Sequence, residues 1–314
     1  MTVTPTLAER YRGTLLALAC GDAIGTAVEF RSRGSFAPIT DMVGGGPFGL
    51  APGQWTDDTS MALCLAESLL NKDGFDATDQ MGRYLNWWQW GYLSATGACF
   101  DIGITVRTAL EQFRATGNPF SGSTDPNSAG NGSLMRLAPI VLFFYPDLEQ
   151  VSQHCANSSR TTHGAPEAIQ CCVLLGRLIS SALAGGSKRD LLRIESVDFS
   201  EQKVAQIATG DYVKKPLAEI KGSGYSVDSL EAALWSFHRT ETLEDAILTA
   251  ANLGDDADTT AAIVGQLAGA HYGAGQIPRR WLDRLHMRLD IERTAEALLR
   301  ASLKRLGVVS EPTV

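Results

Sequence analysis

An all-α fold, a single-domain orthogonal helical bundle, is the class that these 314 residues predict. Three observations carry the prediction. Apolar residues recur at helical spacing through most of the chain, strand-type alternation is almost absent, and the alanine- and leucine-rich segments are joined by short loops with Gly, Pro and Asn. The first helix is expected over Leu7 to Ala19, ahead of the small-residue run Gly21-Asp22-Ala23-Ile24-Gly25. The second, Ser60 to Leu70, follows the turn-forming Pro52-Gly53 and carries the apolar run Met61-Ala62-Leu63-Cys64-Leu65. Asp76 to Trp90 and Ile104 to Ala115 come next, the latter approached through Phe100-Asp101-Ile102-Gly103. A helix over Ser133 to Phe144 leaves the Gly-rich loop that ends at Gly132, and Leu148 to Ser158 and Pro166 to Leu183 follow it. Val227 to Arg239, Thr242 to Asn252, Thr259 to Tyr272 and Ile291 to Leu306 complete the set. The Thr259 helix is apolar on most of its surface, which predicts burial.

A hydrophobic content of 44% in 314 residues is enough for a large core, and no linker-like stretch divides the chain, so one domain over 1–314 is expected. Gly44-Gly45-Gly46-Pro47 and the segment from Gly117 to Gly132 are loop-sized and read as site-forming loops. The formal charge of −8 argues against general nucleic-acid binding through a basic surface, and leaves room for a small anion held locally. Cys20, Cys64, Cys99, Cys155, Cys171 and Cys172 form no C-x-x-C pair and lie mostly in apolar helical segments, as reduced core residues of a cytoplasmic protein do. The N-terminal segment has neither the order of a signal peptide nor the length of a membrane helix, so no membrane association is expected.

Two acidic clusters nearly two hundred residues apart, Thr56-Asp57-Asp58-Thr59 and Asp256-Ala257-Asp258-Thr259, stand where loops become helices. Asp and Thr are ordinary caps, and acids in a first turn gain about 0.3–1 kcal/mol from the helix dipole. A cap needs one acceptor, however. Paired acids flanked by hydroxyls, ahead of helices this apolar, are too much charge to leave unpaired. The two clusters read as halves of one oxygen-rich site for a hard ion, Mg²⁺ or Mn²⁺ rather than Zn²⁺. Glu29, after the apolar Thr26-Ala27-Val28, is a further acid that is costly to bury without a partner.

Other candidates have a structural and a functional reading. Gly265 and Gly269 read as helix packing, whereas Gly21 and Gly25 bracket Asp22 and lead toward Glu29. Ser128-Ala129-Gly130-Asn131-Gly132-Ser133, opening a helix at Leu134, is a plain turn and cap or an anion-holding loop at a helix N-terminus. An Arg at position 136 is expected to face solvent or an ion pair. His163, in a loop before the Pro166 helix, is a structural hydrogen-bonding residue or a substrate contact, and not a metal ligand. Trp87 and Trp88 cannot share one helical face, so one of them is expected near the surface.

Together, Gly21-Asp22-Ala23-Ile24-Gly25 with Glu29, Trp55 through Thr59, Asp101-Ile102-Gly103 with Thr105, Gly130-Asn131-Gly132-Ser133 with Met135-Arg136, Thr162-His163, and Gly254 through Thr260 resemble the ADP-ribosylglycohydrolase family. The resemblance spans about residues 10 to 275, with helices in 276–314 completing the domain. It implies an all-α hydrolase holding two Mg²⁺ or Mn²⁺ ions, with ligands at Thr56, Asp57, Asp58, Asp256, Asp258 and Thr259. It implies catalytic roles for Glu29, as the neighbouring acid or base, and for Asp58, which with the ions positions water. It implies substrate contacts at Asp101, Gly103, Gly130, Asn131, Gly132, Ser133, Met135 and His163; Tyr225, after Gly222-Ser223-Gly224, reads separately as a ring stacked on adenine or packed in its loop. The substrate is then an ADP-ribosylated protein and ADP-ribose the product. Arginine is the expected acceptor, with serine, nucleic-acid or small-molecule conjugates, or a non-catalytic ADP-ribose binder, as alternatives. The family's Gly-Gly-Asp is replaced here by Gly254-Asp255-Asp256, which leaves open whether Asp255 faces solvent or shifts the ligand register.

Overall fold

A computed structural model describes residues 4–192, 194 and 199–308. The chain is all-α, and no strand is found among the described residues. The α-helices are α1 (Leu7–Gly25), α2 (Asp57–Lys72), α3 (Ala77–Trp90), α4 (Ile104–Thr116), α5 (Ala138–Phe144), α6 (Leu148–Arg160), α7 (Pro166–Leu183), α8 (Gln202–Ala208), α9 (Ser226–Arg239), α10 (Leu243–Ala251), α11 (Ala257–Tyr272), α12 (Arg279–Leu282) and α13 (Arg288–Arg305).

The core is organised by α1 and α11, both buried along nearly their whole length. Small residues every fourth position bring their backbones into contact. A Cβ on Gly13 would lie 2.4 Å from the carbonyl oxygen of Gly269, one on Gly265 2.2 Å from that of Ala17, and one on Gly21 2.2 Å from that of Ala261. At Gly25 it would lie 2.3 Å from the Asp258 Cα. The pairings run in opposite directions along the two helices, so the pair is antiparallel, and the end of α1 is clamped against the start of α11. Gly21 and Gly25 are therefore packing positions of the same ladder as Gly265 and Gly269. What they bring to the site is the placement of Asp22 and Asp258.

Several boundaries differ from the sequence expectation. α1 runs on to Gly25, because the small residues keep it helical against α11. α2 starts at Asp57, so both acids of the first cluster stand in its first turn. Only Ala138–Phe144 is helical within the expected Ser133–Phe144. Residues 132–136 form consecutive turns, with Leu134 N–H and Met135 N–H both directed to the Asn131 carbonyl, and Pro139 starts the helix because its missing donor is tolerated only in a first turn. α8 and α12, of 7 and 4 residues, are too short for periodicity to announce. Trp87 is buried, Trp88 is half-buried under the Arg114 guanidinium, and Trp90 is exposed. The six cysteines are unpaired, all but Cys99 fully buried. α7 is apolar and long enough to cross a membrane, but most of it is buried inside the bundle.

Candidate active site

The ends of α1, α2 and α11 meet at the floor of a cavity. Asp22 fastens them, although the sequence reading passed it over as a residue between glycines. Its Oδ1 accepts from Thr56 N–H (2.8 Å) and Thr56 Oγ1 (2.9 Å), and its Oδ2 from Thr59 N–H (3.0 Å) and Thr59 Oγ1 (2.6 Å). Asp22 thus satisfies orphan N–H groups in the first turn of α2 from another helix. Thr59 is spent on this contact. Thr56 Oγ1 also lies 3.1 Å from Asp58 Oδ2 and 3.4 Å from Asp258 Oδ2, while Thr259 Oγ1 lies 3.4 Å from Asp58 Oδ2. Residues 56–59 and 256–259, distant in sequence, are joined here.

Carboxylate oxygens of Asp22, Asp58 and Asp258 fall within 4.8 Å of one another, as do those of Glu29, Asp101 and Asp258. Among the described residues, no Lys or Arg forms an ion pair with any of these acids. Asp58 Oδ1 and Glu29 Oε2 are buried with no partner. Burial, and then the Asp101 and Asp256 charges, push Glu29 up to about 9. Burial and the charge of Asp22 push Asp101 to about 8. Burial raises Asp57, Asp58 and Asp258 well above the carboxylate range, reinforced by Asp101, Asp22 and Glu29 respectively, and takes Asp22 to about 6. Crowded, dehydrated and uncompensated oxygens, with no nitrogen or sulfur donor among them, fit a hard divalent cation. Of the ligands expected from the sequence, Asp58 and Asp258 fall in these two groups, which Asp22, Glu29 and Asp101 complete.

The cavity above has a volume of about 400 Å³. Glu29, Asp57, Asp101, Gly103, Gly130, Asn131, Gly132, Met135, His163, Asp256, Asp258 and Thr259 line it. Thr56 and Asp58 lie beneath its floor, buried. Ser133 and Tyr225, expected as substrate contacts, are not in the lining. The Ser133 hydroxyl is turned inward to Ser159 Oγ (2.9 Å) and Cys172 Sγ (3.3 Å). The Tyr225 hydroxyl is held by Glu167 and by Lys203 Nζ, the latter at 2.8 Å. Phe30 and Ile104, exposed apolar residues on the rim, had no sequence signal beyond their adjacency to Glu29 and Gly103.

Backbone strain gathers at this rim. Phe30, Asp101 and Asp255 hold φ of 61°, 58° and 56°, a left-handed conformation that non-glycine residues rarely adopt and that costs on the order of 1–3 kcal/mol each. Reciprocal bonds enforce two of them: Phe30 N–H to the Asp255 carbonyl at 2.7 Å, and Asp255 N–H to the Arg31 carbonyl at 2.8 Å. This stitch answers the register question. Asp255 is exposed, while Asp256 turns to the cavity and accepts from Asn131 Nδ2 at 2.8 Å.

The Gly130–Ser133 loop is not followed by a helix N-terminus at Leu134, so no helix dipole points at it. What it offers is backbone. Among the described residues, Gly132 and Ser133 give their N–H groups to no acceptor, while Asn131 N–H is committed to the Gly224 carbonyl at 3.0 Å. The glycines are required by His163. A Cβ on Gly132 would sit 2.8 Å from the ring's Cε1, and one on Gly130 3.3 Å from Nε2. Arg136, expected at the surface, is fully buried under the loop.

Known proteins share the sequence and the fold. The ADP-ribosylglycohydrolase family model matches residues 3–306. The ADP-ribosylarginine hydrolase Tri1 of Serratia proteamaculans is 45% identical over 290 residues, covering 92% of this chain and 79% of that protein. The ADP-ribosyl-[dinitrogen reductase] glycohydrolase of Rhodospirillum rubrum is 33% identical, covering 94% of this chain and 97% of the relative. A solved structure described as an ADP-ribosylglycohydrolase-related protein complex superposes with a TM-score of 0.85 at 44% identity, over 94% of this chain and 99% of that one. The acid-floored cavity, the helical bundle around it and the match along nearly the whole sequence make the chain a member of the ADP-ribosylglycohydrolase family, an enzyme that hydrolyses glycosidic bonds.

Proposed function

We propose that the protein removes ADP-ribose from arginine side chains of modified proteins by hydrolysing the N-glycosidic bond, with two divalent ions, Mg²⁺ or Mn²⁺, at the cavity floor. The observation that carries this reading is the convergence of buried carboxylates with unpartnered oxygens beneath a ligand-sized cavity. The relatives named as ADP-ribosylarginine hydrolases favour arginine over the other acceptors.

Thr56, Asp57, Asp58, Asp256, Asp258 and Thr259 would hold the ions. Bound there, divalent ions supply charge that offsets the acids, Lewis-acid polarisation of the ribose hydroxyls and activation of water. The other steps belong to side chains. Glu29 is on the cavity wall, and its raised proton affinity suits a group that gives or takes a proton as the bond to C1″ breaks. Asp58 lies below the floor and acts by holding and orienting. Asp101 stands on the wall facing Glu29 and Asp258, placed for the ribose or the scissile linkage. The unpartnered N–H of Gly132, in the cavity lining, suits the diphosphate.

A second recess, of about 440 Å³, shares Phe30, Asp101 and Ile102 with the cavity and continues over Phe48, Trp88 and Phe100. We assign it to the modified side chain and its neighbours, because a guanidinium stacks on aromatic faces. The test is to offer the purified protein ADP-ribosyl-arginine, ADP-ribosyl-serine and ADP-ribosylated nucleic acid in parallel. Free ADP-ribose from the arginine conjugate in Mg²⁺, and none in EDTA, is expected. Binding without release, or turnover that EDTA leaves intact, contradicts the proposal.

A further inference from the structure

A guanidinium is buried beneath the Gly130–Gly132 loop, and among the described residues no carboxylate forms an ion pair with it. Arg136 is 0% exposed, stands over the Tyr84 ring at 4.6 Å, and donates from Nη1 to the Gly132 carbonyl (3.1 Å) and from Nη2 to Thr162 Oγ1 (2.7 Å). Burying a charge without an ionic partner is costly, so its placement calls for a reason.

The proton inventory of Thr162 supplies one. A guanidinium has donors only, so Thr162 Oγ1 accepts from Arg136. The hydroxyl's single proton then has His163 Nδ1, 2.8 Å away, as its acceptor. Thr162 and His163 are both buried, so water does not compete. The opposite arrangement, Nδ1–H donating to Oγ1, would strand the hydroxyl proton without a partner in a closed site. Burial and then the Arg136 charge push His163 down to about 3, so the ring is neutral and carries one proton. With Nδ1 accepting, that proton is on Nε2. The Nε2 edge is the one packed against Gly130 and Gly132, at the cavity wall.

We propose that Arg136 and Thr162 are positioning residues that lock His163 as the Nε2–H tautomer, making it a fixed hydrogen-bond donor to an oxygen seated on the Gly130–Gly132 loop rather than a general base. This rests on the reading that the cavity takes ADP-ribose, whose diphosphate provides the oxygen. The Gly-Asn-Gly spacing follows from the same arrangement, since the ring fills the space that side chains at 130 and 132 would need.

Nitrogen-15 NMR of the full chain labelled at histidine reads the tautomer directly, with the His163 signals identified by their absence in His163→Asn. Expected are a pyridine-type Nδ1 and a pyrrole-type Nε2 across neutral and mildly acidic pH. Thr162→Val should release the tautomer and weaken ADP-ribose binding, measured by calorimetry, about tenfold. Thr162→Ser should restore both. A protonated Nδ1 in the parent protein, or Thr162→Val with parental tautomer and affinity, overturns the proposal. The tautomer is read without ligand, so failure of the parent to bind ADP-ribose would count against the assigned substrate and leave the positioning claim to stand or fall on its own signal.

Discussion

The α1–α11 seam and the floor where it ends are built from the same two helices and solve opposite problems. Along the seam, Gly13, Ala17, Gly21 and Gly25 meet Gly269, Gly265, Ala261 and Ala257 with backbone against backbone and no polar side chain between them. At the last rungs of that ladder, beside Gly21 and Ala257, the same helices present Asp22 and Asp258, whose carboxylates crowd Asp58 and have no cationic partner among the described residues. The contrast teaches how charge that destabilises a fold is kept in place. A rigid, dry ladder of small residues holds the helix ends so close that the acids cannot move apart. Where a protein tolerates such uncompensated charge, the position is a candidate for function.

Breaking the floor should cost activity and not stability. Asp58→Asn keeps the shape and removes a carboxylate that no cationic group among the described residues offsets. Turnover of ADP-ribosyl-arginine should fall by on the order of a hundredfold or more at any Mg²⁺ concentration. Melting of the metal-free variant should occur no lower than that of the parent, because a carboxyl whose charged form burial and Asp22 both disfavour has gone. Asp258→Asn should behave alike. Breaking the seam should cost stability first, and activity through it. Gly21→Ala places a Cβ 2.2 Å from the Ala261 carbonyl oxygen, against backbone that cannot rotate away. A loss of about 1–3 kcal/mol in denaturant unfolding is expected, with activity reduced because Asp22 and Asp258 separate.

The two regions also differed in how far the sequence disclosed them. Thr56-Asp57-Asp58-Thr59 and Asp256-Ala257-Asp258-Thr259 were legible because adjacent acids before an apolar helix violate ordinary patterning, and a violation is a local signal. The helical class was legible for the same reason, since periodicity is local. Asp22 was not, because its partners Thr56 and Thr59 lie 34 and 37 residues away and no spacing rule links them. The ladder register was hidden likewise, since Gly21 and Gly25 show their purpose only beside Ala261 and Asp258. Arg136 was misplaced by its class habit of facing solvent, and Ser133 by the absence of the helix expected to follow it. The short α8 and α12 lie below the length at which a period can be counted.

Smaller effects should sharpen the picture. His163 has a folded-state pKa of about 3, below its ordinary value of about 6.5. The unfolded chain therefore takes up a proton, as pH falls through that window, that the folded chain refuses. Stability contributed by the neutral ring is full above the window and is lost toward its acid end. His163→Asn should accordingly lose less melting temperature between neutral and acidic pH than the parent. Part of the slope will persist, since burial also lowers His238, His154 and His271. Trp88→Ala should raise KM a few-fold for an ADP-ribosylated protein, by removing part of the aromatic wall of the second recess, with kcat unchanged. Equal effects on KM and kcat would move Trp88 from the approach to the site itself.

The central claim is most directly tested by a crystal of the full chain grown with Mn²⁺ and measured for anomalous scattering. The account predicts anomalous peaks enclosed by oxygens of Thr56, Asp57, Asp58, Asp256, Asp258 and Thr259, with Asp22 behind them still bonded to Thr56 and Thr59. The same carboxylates found together at saturating Mn²⁺ with no anomalous peak between them would contradict it.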